Sequence, residues 1–187
     1  MKIAVFCASS DAIAPVYFEA AHRLGERIGE KGWHLVYGGT DRGLMRELAE
    51  TVMSRGGEVT GIIPECIVQR GVAAQGLKRL VVTADMKERK QLLREEAEAF
   101  IALPGGWGTL EEITEVITLK QLGQHNRPIV FLNIAGYYDP FFAFIRQAQG
   151  KYFISAVYDE LYQVVNTVEE ALRYIQDYQP VSHKEKY

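Results

Sequence analysis

Two cysteines in 187 residues, Cys7 and Cys66, are too few and too far apart for a disulfide framework, and no C-x-x-C spacing offers a zinc or thioredoxin-like site. They read as buried or idle thiols. Histidine is equally sparse: His22, His34, His125 and His183 form no H-x-x-x-H or H-E-x-x-H pair, so no metal ligand set and no cofactor are expected. No stretch approaches the roughly 20 apolar residues of a membrane span. The apolar run at Met1 to Ala8 is too short for a signal peptide and meets Ser9, Ser10 and Asp11 at once, which predicts a cytoplasmic protein off the membrane. An excess of charge is missing too: 21 Lys and Arg against 24 Asp and Glu, a net −3, leave no footprint for nucleic acid. Repeats, low-complexity stretches and linkers are absent. What remains, 48% hydrophobic and 24% charged, is the composition of an ordinary globular chain, long enough for one domain burying roughly 70% of its unfolded surface.

The most informative stretch runs from Phe100 to Glu112. The run Ala99 to Leu103 lacks polar alternation, as a strand covered on both faces of a parallel sheet should. Pro104 stops it. Gly105, Gly106 and Gly108 then allow backbone N–H groups to approach a ligand, and a helix beginning near Thr109 would aim its free N–H groups at the same spot, making a phosphate seat. Thr109 and Glu112 carry two readings. Thr-x-x-Glu before an apolar helix is the signature of a capping box, worth about 1 kcal/mol; alternatively Glu112 is a carboxylate that the site uses on another part of its ligand.

The rest of the chain alternates. Lys2 to Ala8, Trp33 to Tyr37, Glu58 to Ile63, Arg79 to Val82, Ile129 to Asn133 and Leu161 to Val165 read as further strands. Helices are expected over Val16 to Glu30, Leu44 to Arg55, Asp85 to Ala97, Leu110 to Leu122 and Phe141 to Gln149, with one more after the N-cap Thr167. Gly38 to Gly43 forms a second glycine-rich strand-to-helix turn, placing Gly39 in a repeat of the phosphate-seat geometry. Glu65 to Lys78 carries no clear pattern and reads as a long loop. The alternation predicts one doubly wound, Rossmann-like α/β domain over residues 1–178, with about seven mostly parallel strands, helices on both faces and ligands at the carboxyl ends of the strands. Residues 179–187 read as a polar tail.

In the helix from Asp85, the apolar face runs Met86, Leu93, Ala97, and Arg89 and Lys90 fall on or beside it. An arginine beside an apolar face needs an anion, and Glu112 or a bound phosphate would serve.

With these residues in view, the chain resembles the LONELY GUY (LOG) family, whose hallmark Pro-Gly-Gly-x-Gly-Thr-x-x-Glu stands at Pro104 to Glu112, preceded by the pair Arg89-Lys90. The likeness extends over Cys7 to Ser10, Tyr37 to Gly39, Gly43 to Met45, Glu115 to Thr118, Gln121 to Gly123 and Gly136 to Tyr138. It implies a phosphoribohydrolase that splits the N-glycosidic bond of a nucleoside 5′-monophosphate, typically a cytokinin, into free base and ribose 5-phosphate. It also implies a homodimer whose neighbouring subunit helps shape the pocket. Catalytic roles would fall to Arg89 and Glu112. Contacts to substrate or phosphate would come from Gly39, Lys90, Gly105, Gly106, Trp107, Gly108, Thr109 and Thr118. Some members carry an older lysine decarboxylase label, but nothing in the sequence suggests a pyridoxal phosphate site. This chain departs from the family at Thr40-Asp41, at Arg46 and at Gly71, which stands where a base-side Glu is frequent. A second reading is a non-catalytic carrier on the same fold, such as the molybdenum cofactor carriers. A single-strand DNA-binding relative is more distant, because a basic stripe is missing.

Overall fold

The computed structural model describes residues 1–180; most of the expected polar tail, 181–187, lies outside the described residues. Seven strands alternate with helices: β1 (Lys2–Phe6), α1 (Pro15–Glu30), β2 (His34–Tyr37), α2 (Gly43–Ser54), β3 (Glu58–Pro64), α3 (Glu65–Val68), β4 (Arg79–Thr83), α4 (Met86–Glu95), β5 (Ala99–Ala102), α5 (Trp107–Gln121), β6 (Ile129–Leu132), α6 (Asp139–Gly150), β7 (Gln163–Val165) and α7 (Val168–Asp177). They form one sheet in the order β4-β3-β2-β1-β5-β6-β7, every pairing parallel.

Each central strand buries both faces, which explains its unbroken apolar sequence. Ile3 and Val5 of β1 pack with Leu24, Ile28, Leu48 and Leu172 on one side of the sheet. Ala4 and Phe6 pack with Leu93, Ile113 and Val116 on the other. From β1 the chain moves outward through β2, β3 and β4, then returns to pair β5 against the opposite edge of β1. That reversal opens a crevice beyond the carboxyl ends of β1 and β5, where a doubly wound fold places its ligand. Two backbone bonds fix its floor: Leu103 N–H donates to the Phe6 carbonyl at 3.0 Å and Ala8 N–H to that of Pro104 at 3.1 Å.

The structure corrects the sequence in four places. Helix α5 begins at Trp107, with Gly106 as N-cap, so Thr109 lies inside its first turn. Helix α4 spans Met86–Glu95, and Asp85 caps it by accepting the Glu88 N–H at 2.8 Å. Leu161 ends a short 3-10 turn over Ala156–Leu161 instead of opening the last strand. The patternless segment after β3 contains the one-turn helix α3, then runs back beside the β2–α2 loop, where Thr40 and Ala73 form an antiparallel bridge. Its order comes from distant backbone pairing, which leaves no local periodicity to read.

Candidate active site

A cavity of about 480 Å³ opens at the carboxyl ends of β1, β2, β3 and β5. The β5–α5 turn forms one side. Gly105 is obligatory there by packing: a Cβ would stand 2.1 Å from Thr109 Oγ1 and 3.1 Å from the Ala8 nitrogen. Gly106, Trp107, Gly108 and Thr109 all line the cavity, and no side chain caps α5. The N–H groups of its first turn have no intrahelical acceptors, so the positive end of a 15-residue helix faces the opening. Trp107 is 88% exposed, while Thr109 is buried.

Across from this seat, α4 places Arg89 and α5 places Glu112. Both are buried, at 7% and 5% exposure. Arg89 Nη1 donates to Glu112 Oε1 at 2.5 Å, and Nε donates to the Ile62 carbonyl at 3.1 Å. The guanidinium fits because residue 38 is glycine: a Cβ there would meet Nη2 at 2.5 Å. Burial raises the Glu112 carboxyl above the ordinary range, opposed by the Arg89 charge, which favours the ionised form. Cys7, at the end of β1 in the same cavity, is pushed far up by burial and then by the Glu112 charge, so it remains a thiol.

Of the two readings of Thr109 and Glu112, the capping box does not hold in the structure. Glu112 reaches Arg89 and makes no cap, whereas the Thr167–Glu170 pair at α7 is a true capping box.

The remaining expected residues divide. Lys90 follows Arg89 but turns towards α5, where Nζ meets Glu111 Oε1 at 2.7 Å and Glu115 Oε2 at 3.7 Å. It ties α4 to α5 and does not line the cavity. Thr118 lies in a separate groove with Thr114 and Phe141, its Oγ1 donating to the Thr114 carbonyl at 2.8 Å. Gly39 turns the chain at φ +72° and accepts the Ala74 N–H through its carbonyl, shaping the loop without lining the cavity. Conversely, Ser9, Arg42, Met45 and Arg70 line it without having been singled out. Ser9 and Met45 fall on stretches shared with the LOG pattern, a usable signal; Arg70 sits in the patternless segment and gave none.

The described residues contain no helix long and apolar enough to cross a membrane and no group of three or more metal-ligating side chains. A family model described as "Possible lysine decarboxylase" matches residues 45–175. The chain is 40% identical over 179 residues to cytokinin riboside 5′-monophosphate phosphoribohydrolase LOG7 of Arabidopsis thaliana, covering 96% of this chain and 82% of that protein. It is 39% identical to LOG of Oryza sativa subsp. japonica, of the same printed activity, with 96% and 74% covered. Among solved structures, the molybdenum cofactor binding protein of Rippkaea orientalis superposes with a TM-score of 0.71 at 19% identity, covering 94% of each chain. The Moco carrier protein of Chlamydomonas reinhardtii gives 0.70 at 21%, again over 94% of each. At those identities the two structures speak to the fold alone, whereas the near-full-length sequence likeness goes further: the chain belongs to the LONELY GUY (LOG) family.

Proposed function

We propose that the protein is a phosphoribohydrolase that cleaves the N-glycosidic bond of a purine or cytokinin nucleoside 5′-monophosphate, giving free base and ribose 5-phosphate. One observation carries the reading: a buried Arg89–Glu112 pair opens onto a cavity that also receives the free N-terminus of α5. The 5′-phosphate sits on the first-turn N–H groups and Thr109. Its binding energy orients the sugar towards Glu112. As the C1′–N bond breaks, its electron pair leaves with the base and positive charge grows on the ribose. Glu112 faces that charge and takes a proton from the water whose oxygen bonds to C1′; the departing base takes up one proton from solvent and Glu112 gives its own back to solvent, so that free base and ribose 5-phosphate result. Arg89 keeps Glu112 ionised against its burial.

No lysine lines this cavity among the described residues, so it has no candidate for a pyridoxal phosphate Schiff base and the decarboxylase description finds no chemistry here. We read residues 1–178 as one domain, since all seven strands join one sheet. We place it in the cytoplasm, where the free thiols Cys7 and Cys66 suit a reducing compartment. We further read it as a homodimer. The apolar groove beside α5, with exposed Tyr152 and Phe153 at its edge, favours a second copy there and would bring Thr118 to the interface.

The test is incubation of the purified protein with AMP, isopentenyladenosine 5′-monophosphate and the matching nucleosides, with base and ribose 5-phosphate followed by chromatography. Release from the monophosphates alone is expected. No release from any of them, by folded protein, overturns the reading and favours a carrier. Light scattering of the same sample should give twice the 21.1 kDa chain mass.

A further inference from the structure

The seat at the start of α5 depends on which way a few peptide units face. In a planar trans peptide the carbonyl and the following N–H point in opposite directions, and no peptide of the described residues is cis. Three successive carbonyls of the β5–α5 turn are held. Leu103 accepts the Tyr138 hydroxyl at 2.7 Å, Pro104 the Ala8 N–H at 3.1 Å and Gly105 the Tyr137 hydroxyl at 2.8 Å. The last bond reaches furthest. It draws the Gly105 carbonyl towards Tyr137, which does not line the cavity, and so turns the Gly106 N–H to the opposite side, where Gly106 does line it. It also occupies the acceptor that the Thr109 N–H would take if α5 began one residue sooner; the helical ladder opens instead with the Leu110 N–H on the Gly106 carbonyl at 3.0 Å. Neither the Gly106 nor the Thr109 N–H donates to a backbone carbonyl among the described residues. Tyr137 is itself presented by a braced turn. The Asn133 N–H donates to the Val165 carbonyl at 2.7 Å, its Oδ1 accepts the Tyr138 N–H at 2.7 Å and its Nδ2 donates to Asp139 Oδ1 at 2.8 Å. The ring stands edge to face with Tyr17 and Tyr138, at 5.8 and 5.1 Å between centroids.

We propose that Tyr137 is a positioning residue for the phosphate seat: its hydroxyl holds the Gly105 carbonyl outward and thereby keeps the Gly106 and Thr109 N–H groups free for the 5′-phosphate. The proposal rests on the phosphoribohydrolase reading for what the seat holds. Without the hydroxyl, the Gly105 carbonyl is free to turn onto the Thr109 N–H, and the seat loses donors that would each make a charge-assisted bond to a phosphate oxygen. Tyr138 gives the contrast. It makes the same kind of bond two residues earlier, but Leu103 is followed by Pro104, which has no N–H to aim. Tyr138 therefore steadies the turn without setting a donor.

The affinity for ribose 5-phosphate is measured by calorimetry in wild type, Tyr137→Phe and Tyr138→Phe, together with melting temperatures and kcat/KM for AMP. Tyr137→Phe keeps both ring contacts and drops only the hydroxyl. It should bind ribose 5-phosphate about tenfold more weakly and lose about the same factor in kcat/KM. Tyr138→Phe should melt about 2–4 °C below wild type and keep the wild-type affinity for ribose 5-phosphate. Unchanged affinity in Tyr137→Phe, or an equal loss in the two variants, overturns the proposal. If wild type binds ribose 5-phosphate but cleaves no AMP, the hydrolase reading fails separately and the same titrations still decide the role of Tyr137. A wild type that binds no ribose 5-phosphate removes the seat, and the proposal with it.

Discussion

The guanidinium of Arg89 lies against the bare Cα of Gly38, so closely that a Cβ would stand 2.5 Å from Nη2. The arginine cannot yield without loosening its bonds to the Ile62 carbonyl and Glu112. Gly38→Ala should therefore displace it and lower kcat by about a hundredfold, the scale for small misplacements of reacting groups, while the circular dichroism spectrum stays native. Gly150→Ala, where a Cβ meets open space, should leave kcat unchanged. Equal activity in the two variants would remove Gly38 from the account.

The ion pair makes a separate prediction about stability. Glu112→Gln leaves a buried guanidinium without its counter-charge and should cost about 3 kcal/mol in chemical denaturation. Replacing both residues, as Arg89→Met with Glu112→Leu, should recover most of that loss. Activity should fall at least a hundredfold in either protein. A double variant no more stable than the single one would mean that the pair is not coupled.

The uneven legibility of this site has physical causes. The β/α alternation, the glycine turn and the need of Arg89 for an anion were all readable, because each depends on residues close in sequence or on burial of one helix face. Lys90 belongs to the Arg-Lys pair of the LOG pattern, yet neighbours on a helix stand about 100° apart, so while Arg89 enters the cavity Lys90 turns to Glu111 and Glu115 of α5. Arg42 and Arg70 are brought together by backbone pairing between segments some thirty residues apart, which no local pattern announces.

The pH profile should carry the mark of Glu112. Burial raises its carboxyl, so the protonated, inactive form persists above the ordinary carboxyl value of about 4.3, and kcat/KM should rise with pH through that raised value. Arg89 opposes the effect of burial. In Arg89→Met the acid limb should move to still higher pH in whatever activity remains. An acid limb at or below the ordinary value contradicts the assignment.

His125 sets a different pH dependence, one of stability. Its Nε2–H donates to the Val116 carbonyl at 2.9 Å while Nδ1 accepts the Arg127 N–H at 3.2 Å, which fixes the neutral tautomer. Burial pushes it down from 6.5 to about 4. Because the folded value lies below the unfolded one, the stability tied to the neutral ring is present above pH 6.5 and is lost as pH falls towards 4. Melting temperatures of wild type and His125→Gln should differ most at pH 7 and converge by pH 4. A gap that is constant across this range would show that the ring does not titrate as described.

The two Thr-x-x-Glu segments give the sharpest contrast between pattern and position. At Thr167 the threonine is the N-cap itself: its Oγ1 accepts the Glu170 N–H at 3.2 Å and Glu170 Oε2 accepts the Thr167 N–H at 3.1 Å. At Thr109 the same spacing sits two residues into a helix that has already begun at Trp107, so Glu112 is free to turn inward to Arg89. Thr167→Ala should thus cost about 1 kcal/mol of stability and leave activity untouched. Thr109→Ser, which keeps the hydroxyl, should retain the KM for the nucleotide, whereas Thr109→Ala should raise it several-fold, because this buried threonine lines the cavity where we propose the 5′-phosphate binds. Denaturation midpoints and steady-state kinetics on the three variants separate the roles. A Thr109→Ala protein that loses stability like Thr167→Ala but keeps its KM would return this threonine to a structural role.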